Sequence, residues 1–121
     1  MPMKILIAED DPLMMVVIKQ QLLNEGYSLS MNADGREALE ALESFRPDLI
    51  ITDILMPFAS GLDLITVVRS SGNKVPILVL SAMDQEATVL EALTLGANDF
   101  ISKPFKPAEI SMRVKRLLKI K

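Results

Sequence analysis

The sequence has 121 residues and contains no cysteine, no histidine, no tryptophan and a single tyrosine. Without cysteine there is neither disulfide nor thiol chemistry, and a reducing compartment is permitted. Without histidine the chain lacks the usual general base, cannot itself form a phosphohistidine and cannot build a zinc site of the common kind. Neither glycine-rich phosphate-loop pattern occurs, which argues against a nucleotide-binding enzyme. The net charge of −3 comes without a basic stripe, so nothing points to nucleic acid. The basic residues near the C-terminal end, Arg113, Lys115 and Arg116 among them, suit the dipole of their own helix. No apolar run approaches membrane-spanning length, and the Met1–Ile7 start is too short for a signal peptide. The expectation is a cytoplasmic protein without a membrane partner and without direct contact to nucleic acid.

What is present is a regular alternation. Half the residues are hydrophobic and 24% are charged, an ordinary composition for a chain that fits one domain over residues 1–121. Strand-like runs read Lys4–Glu9, Ser28–Asn32, Leu49–Asp53, Ile77–Ser81 and Asp99–Ser102. The first, third and fourth are continuously apolar, as strands covered on both faces are. Between them lie helical segments with readable ends. Asp11-Pro12 is a cap followed by proline in the first turn, and that helix carries Leu13, Val16, Val17, Gln20, Leu23 and Asn24 before Gly26. Further helices run from Asp34 to before Arg46-Pro47, from Gly61 to before Ser71, from Asp84 to Gly96, and from Pro107 with Ile110, Val114, Leu117 and Leu118 on one face. Five strand–helix units predict an α/β (βα)5 doubly wound, flavodoxin-like three-layer sandwich with a parallel sheet in the order 2-1-3-4-5.

In such a sheet the carboxyl ends of the strands face one crevice. Glu9 and Asp10 close the first strand's run, Asp53 ends the third, Ser81 the fourth, and Lys103-Pro104 follows the fifth. Each has a bland reading alone: a solvated turn aspartate, a serine satisfying a strand end, a surface lysine. Together they form an acidic cluster beside a hydroxyl and an ammonium. Crowded carboxylates repel one another unless a cation belongs among them, and oxygen ligands beside a phosphoryl group suit magnesium. A cis bond at Lys103-Pro104 would fix the direction of the lysine. Asp11, Asp34, Asp63 and Asp84 have helix-capping or dipole explanations and stay outside the site.

These residues resemble the receiver domain of two-component response regulators. The resemblance runs from Lys4 to about Leu118 and rests on Glu9-Asp10, Asp53 with Met56-Pro57 and Gly61, Ser81-Ala82, and Lys103-Pro104-Phe105 after Gly96-Ala97-Asn98-Asp99-Phe100. It implies that Asp53 accepts a phosphoryl group from a sensor histidine kinase or a histidine phosphotransfer protein. It also implies that Glu9, Asp10, Asp53 and the Leu55 backbone carbonyl hold Mg2+ (or Mn2+). Ser81 and Lys103 would bind phosphoryl oxygens, and Phe100 would turn inward with Ser81 as the switch. The face made by the fourth helix, fifth strand and fifth helix would then act on a downstream effector. Leu55 and Met83 occupy positions that tune hydrolysis of the aspartyl phosphate, and two apolar side chains there imply a long-lived phosphoryl state.

Phe100 replaces the frequent tyrosine, and the acidic pair is Glu-Asp instead of Asp-Asp. Asp99, Glu109 and Arg113 match parts of a charged homodimer face, whereas Val89 stands where a basic residue is usual. On this reading the domain catalyses only its own phosphorylation and dephosphorylation. Two rivals are a phosphorylation-independent interaction module on the same fold and a small redox or nucleotide protein. The first has no need of the acidic cluster, and the second lacks a phosphate loop and stacking aromatics. Whether the chain is a whole regulator or the N-terminal piece of a longer one is left open.

Overall fold

The computed structural model describes residues 2–82 and 85–119. Among them, five strands alternate with five helices: β1 (Lys4–Ala8), α1 (Pro12–Asn24), β2 (Ser28–Asn32), α2 (Gly35–Phe45), β3 (Leu49–Asp53), α3 (Gly61–Ser70), β4 (Ile77–Ser81), α4 (Glu86–Leu95), β5 (Asp99–Ser102) and α5 (Pro107–Leu117). The sheet order is β2-β1-β3-β4-β5 with every pairing parallel, as the alternation predicts. Two boundaries differ from the sequence reading. β1 stops at Ala8, which leaves Glu9 beyond the strand, and α4 begins at Glu86 with Gln85 before it. Asp84, the expected start and cap of that helix, lies outside the described residues, as does Met83.

Alternation along the strands builds two cores. Leu6, Ala8, Ile50, Val79 and Ile77 face α2, α3 and α4, where they meet Ala38, Leu64, Ile65, Val68 and Ala92. Ile5, Ile7, Ile51, Leu78, Leu80 and Ile101 face the other way, toward Ile18, Leu22, Ile110 and Val114 of α1 and α5. Each such side chain contributes about 1.5–3 kcal/mol on leaving water, which binds five short strands into one slab. Two of the expected caps, Asp11 and Asp34, are made, and a third that the sequence reading did not foresee closes α3. The Asp11 carboxylate accepts from Leu13 N at 3.0 Å, Asp34 accepts from Glu37 N at 2.9 Å, and Ser60 and Asp63 form a reciprocal capping box at α3.

The face of α1 is a correction. Of the residues assigned to that helix by period, Leu13, Val16 and Leu23 are exposed, while Ile18 and Leu22 are buried with Met14 and Met15 packed beside them. The segment Leu13–Ile18 is apolar all round, so period alone cannot choose a face, and docking against β2 and α5 does. An Ile18→Ala variant should therefore lose about 2–5 kcal/mol in urea unfolding, whereas Leu13→Ala should stay within about 0.5 kcal/mol of wild type. Equal losses would return the buried face to the one the period suggested.

Candidate functional site

The order β2-β1-β3 sets the end of β1 beside the end of β3, in register through Ala8 opposite Thr52. One carboxylate oxygen from each of Glu9, Asp10 and Asp53 falls within a single group, all lying within 4.8 Å of one another. Glu9 is fully buried, Asp53 is 7% exposed, and Asp10 is open to solvent. The loop after β3 turns sharply back onto the strand. Gly61 donates its N–H to the Ile54 carbonyl at 2.7 Å, and a Cβ at that position would stand 2.2 Å from the Asp53 carbonyl oxygen. No other residue fits where α3 passes so near the strand end.

Lys103 arrives from the far side of the sheet. Its backbone N–H donates to the Ser81 carbonyl at 2.7 Å, continuing the β4–β5 pairing, and the Lys103-Pro104 bond is cis, the case the sequence reading raised conditionally. The ammonium stands 3.0 Å from Glu9 Oε2 and 3.1 Å from Asp53 Oδ2. It hydrogen-bonds Glu9 through Oε1, at 3.2 Å, while Oε2 is off its hydrogen-bonding direction and has no hydrogen-bond partner among the described residues. Asp53 Oδ1 accepts from Ile54 N at 2.9 Å, so both oxygens of that carboxylate are held.

The charges are strongly interdependent. Burial and the neighbouring Asp53 charge raise the Glu9 carboxyl from an ordinary 4.5 to about 7, against the pull of Lys103. Burial opposes charge on Lys103, but its bond to Glu9 and the two carboxylate charges outweigh this and hold its pKa above the ordinary value. An all-oxygen donor set with one carboxylate oxygen lacking a hydrogen bond suits a hard divalent cation.

Ser81 is buried and lines a cavity of about 270 Å³ with Ala82, Glu86, Val89, Phe100 and Ser102. Phe100 borders that cavity half-turned to solvent, 39% exposed. The structure therefore unites Glu9, Asp10, Asp53 and Lys103 directly. It sets Ser81 alongside through the backbone. Leu55 lies just beyond, with its side chain exposed.

Residues 5–115 match the family model of the response regulator receiver domain. The chain belongs to that family. It is 39% identical to response regulator MprA of Mycolicibacterium vanbaalenii over 98% of this chain and 52% of that protein. It is 36% identical to the alkaline phosphatase synthesis transcriptional regulatory protein PhoP of Bacillus subtilis over 96% of this chain and 48% of that one. The chain thus spans about half the length of these curated relatives. The receiver domain of a Francisella response regulator superposes with a TM-score of 0.88 at 33% identity, covering 96% of each chain.

Three features of this receiver were not legible beforehand. Asp99 is taken by Arg113 at 2.8 Å and Arg116 at 3.2 Å, and Glu109 lies 4.0 Å from Arg113, so the charges matched to a dimer face pair within one chain. Val89, where a basic residue is usual, is 6% exposed and part of the core. Asn32 and Thr52 are buried polar residues near the cluster that the sequence reading passed over. Asn32 carried the one available signal, an amide at the end of a strand.

The Glu9 shift has a readable consequence for stability. A carboxyl whose folded pKa lies above its unfolded value keeps its proton longer in the folded chain, so its contribution falls as pH rises between the two. For Glu9 without divalent cation that window runs from 4.5 to about 7. The urea midpoint of Glu9→Gln, measured in chelator relative to wild type, should rise from about pH 5 to about pH 7.5. A difference independent of pH would contradict the burial of Glu9.

Proposed function

We propose that this receiver domain is switched by a phosphoryl group on Asp53, taken from the phosphohistidine of a sensor histidine kinase or a histidine phosphotransfer protein. A carboxylate oxygen of Asp53 bonds phosphorus as the donor's N–P bond breaks, and the bonding pair stays on the imidazole nitrogen, which then takes a proton from water. The observation carrying this reading is the Lys103 ammonium standing between Glu9 and Asp53, beside three convergent carboxylates. Phosphoryl transfer asks for in-line positioning and charge neutralisation more than for protein acid–base chemistry, so a chain without histidine is equal to it.

Glu9, Asp10, Asp53 and the Leu55 carbonyl would hold Mg2+ (or Mn2+), which when bound neutralises charge on the transferring group. Lys103 pairs with one phosphoryl oxygen and Ser81 donates to another. Drawing Ser81 toward the phosphate enlarges the space beside it, and Phe100 turns inward to fill it. The new group brings about two negative charges. A coupling of roughly 1–3 kcal/mol to the α4–β5–α5 face is the usual scale for such a switch. That face controls an effector, carried on the same polypeptide or on a separate protein, and residues 1–121 act as one receiver module. PhoP is named a transcriptional regulatory protein, which supports a transcriptional output. A homodimer through the same face would have to exchange the internal Asp99 pairs for pairs between copies. A phosphorylation-independent adaptor has no use for the acidic cluster, and no observation favours one.

Incubation with a small acyl phosphate and magnesium should add one phosphoryl mass to the intact protein, and Asp53→Asn should add none. Addition to the variant would show that the nucleophile is another residue. In a thermal scan, millimolar Mg2+ should raise the wild-type midpoint, because a ligand of the folded form stabilises it, and leave Asp10→Asn nearly unmoved. An equal rise in both would place the cation elsewhere.

A further inference from the structure

Asn32 ends the edge strand β2 opposite Ala8, at the point where β1 leaves the sheet toward Glu9 and Asp10. It is 5% exposed, in a place where an apolar side chain would be cheaper to bury. Its bonds flank a single residue of β1. The Asn32 carbonyl accepts from Glu9 N at 3.0 Å, and the Asn32 side-chain amide donates to the Ile7 carbonyl at 3.2 Å. The same amide nitrogen lies 3.2 Å from both the carbonyl and the hydroxyl of Ser30, which fixes its own rotamer. Two of these acceptors are carbonyls, which cannot donate, so the NH2 end must face them.

We propose that Asn32 is a positioning residue of the acidic site. It holds the Ile7–Glu9 backbone from both sides of Ala8 and thereby sets the direction in which Glu9 and Asp10 leave the strand. The inference rests on the reading of Glu9, Asp10 and Asp53 as a cation site. Glu9 is wholly buried, so its carboxylate reaches the cluster only if its backbone leaves β1 at the right angle. Asp10, the next residue, is exposed, so burial does not fix its direction. A clamp on the preceding peptide is what aligns both.

The test is Mg2+ binding by titration calorimetry to wild type, Asn32→Ala, Asn32→Ser, Asn32→Asp and Asp10→Asn, with urea midpoints taken separately in chelator. Removing groups that orient metal ligands typically weakens metal binding by 10–100-fold. Asn32→Ala and Asn32→Ser should fall near the lower end of that range, about ten-fold, while remaining folded. Asn32→Asp is the sharper variant. It adds a negative charge beside the cluster, and charge alone would tighten Mg2+. An aspartate cannot donate to Ile7, however, so loss of positioning weakens binding instead.

A merely structural role would lower the urea midpoints and leave the affinity of the folded protein unchanged, and that result overturns the proposal. Tighter binding by Asn32→Asp overturns it as well. If Asn32→Ala does not fold, the smaller change to serine decides. Wild type that binds no Mg2+, or binding that survives in Asp10→Asn, overturns the cation reading and this inference with it. Binding lost in Asp10→Asn but intact in every Asn32 variant overturns the Asn32 role alone.

Discussion

The ammonium of Lys103 between Glu9 and Asp53 is the contact around which this receiver is arranged. A fully buried Glu9 and a nearly buried Asp53 could not share one end of a sheet without a positive charge between them, because desolvation and mutual repulsion act in the same direction. That charge comes from 50 residues beyond Asp53 in sequence, and its place depends on β5 pairing with β4 and on Lys103 N bonding the Ser81 carbonyl. The site is thus a product of the whole sheet. The same crowding leaves Glu9 poised near neutrality and leaves carboxylate oxygens for a divalent ion.

Around that centre several separate ties fasten the molecule. The carboxyl edge near β1 and β3 is tied by Asn32, by the Gly61 turn and by the Ser60–Asp63 box. At the end of α4, Arg69 donates to the Gly96 carbonyl through Nε at 3.1 Å and Nη2 at 2.8 Å, and reaches Asn98 Oδ1 at 3.0 Å. Among the described residues no side chain caps the start of α4, which borders the cavity between Ser81 and Phe100.

Much of this was legible in residue order, for identifiable reasons. Strand ends could be read because apolar runs stop abruptly at Asp53 and Ser81. Asp11, Asp34 and Asp63 could be set aside from the site because capping is a local interaction that needs only a few residues of context. The buried face of α1 could not be read, since apolar residues on every side of Leu13–Ile18 leave the period without a preference. Val89, noted only as standing where a dimer face usually has a basic residue, is a core residue because α4 packs on α3 and β4. Asn32 went unweighed because its partners, Ile7 and Glu9, are about 25 residues away along the chain.

By itself the sequence determined the element order, the parallel (βα)5 class and the identity of the residues gathered at the carboxyl edge. Those follow from period, from local capping and from the rule that parallel strands end on one side. Only the tertiary structure decided how near the gathered groups stand, which charge neutralises which, and that the arginines of α5 take Asp99 within the same chain. The reason is physical. Period and caps act over a few residues, whereas Coulomb and desolvation energies depend on distances of a few ångströms between groups far apart in sequence, and only packing sets those distances.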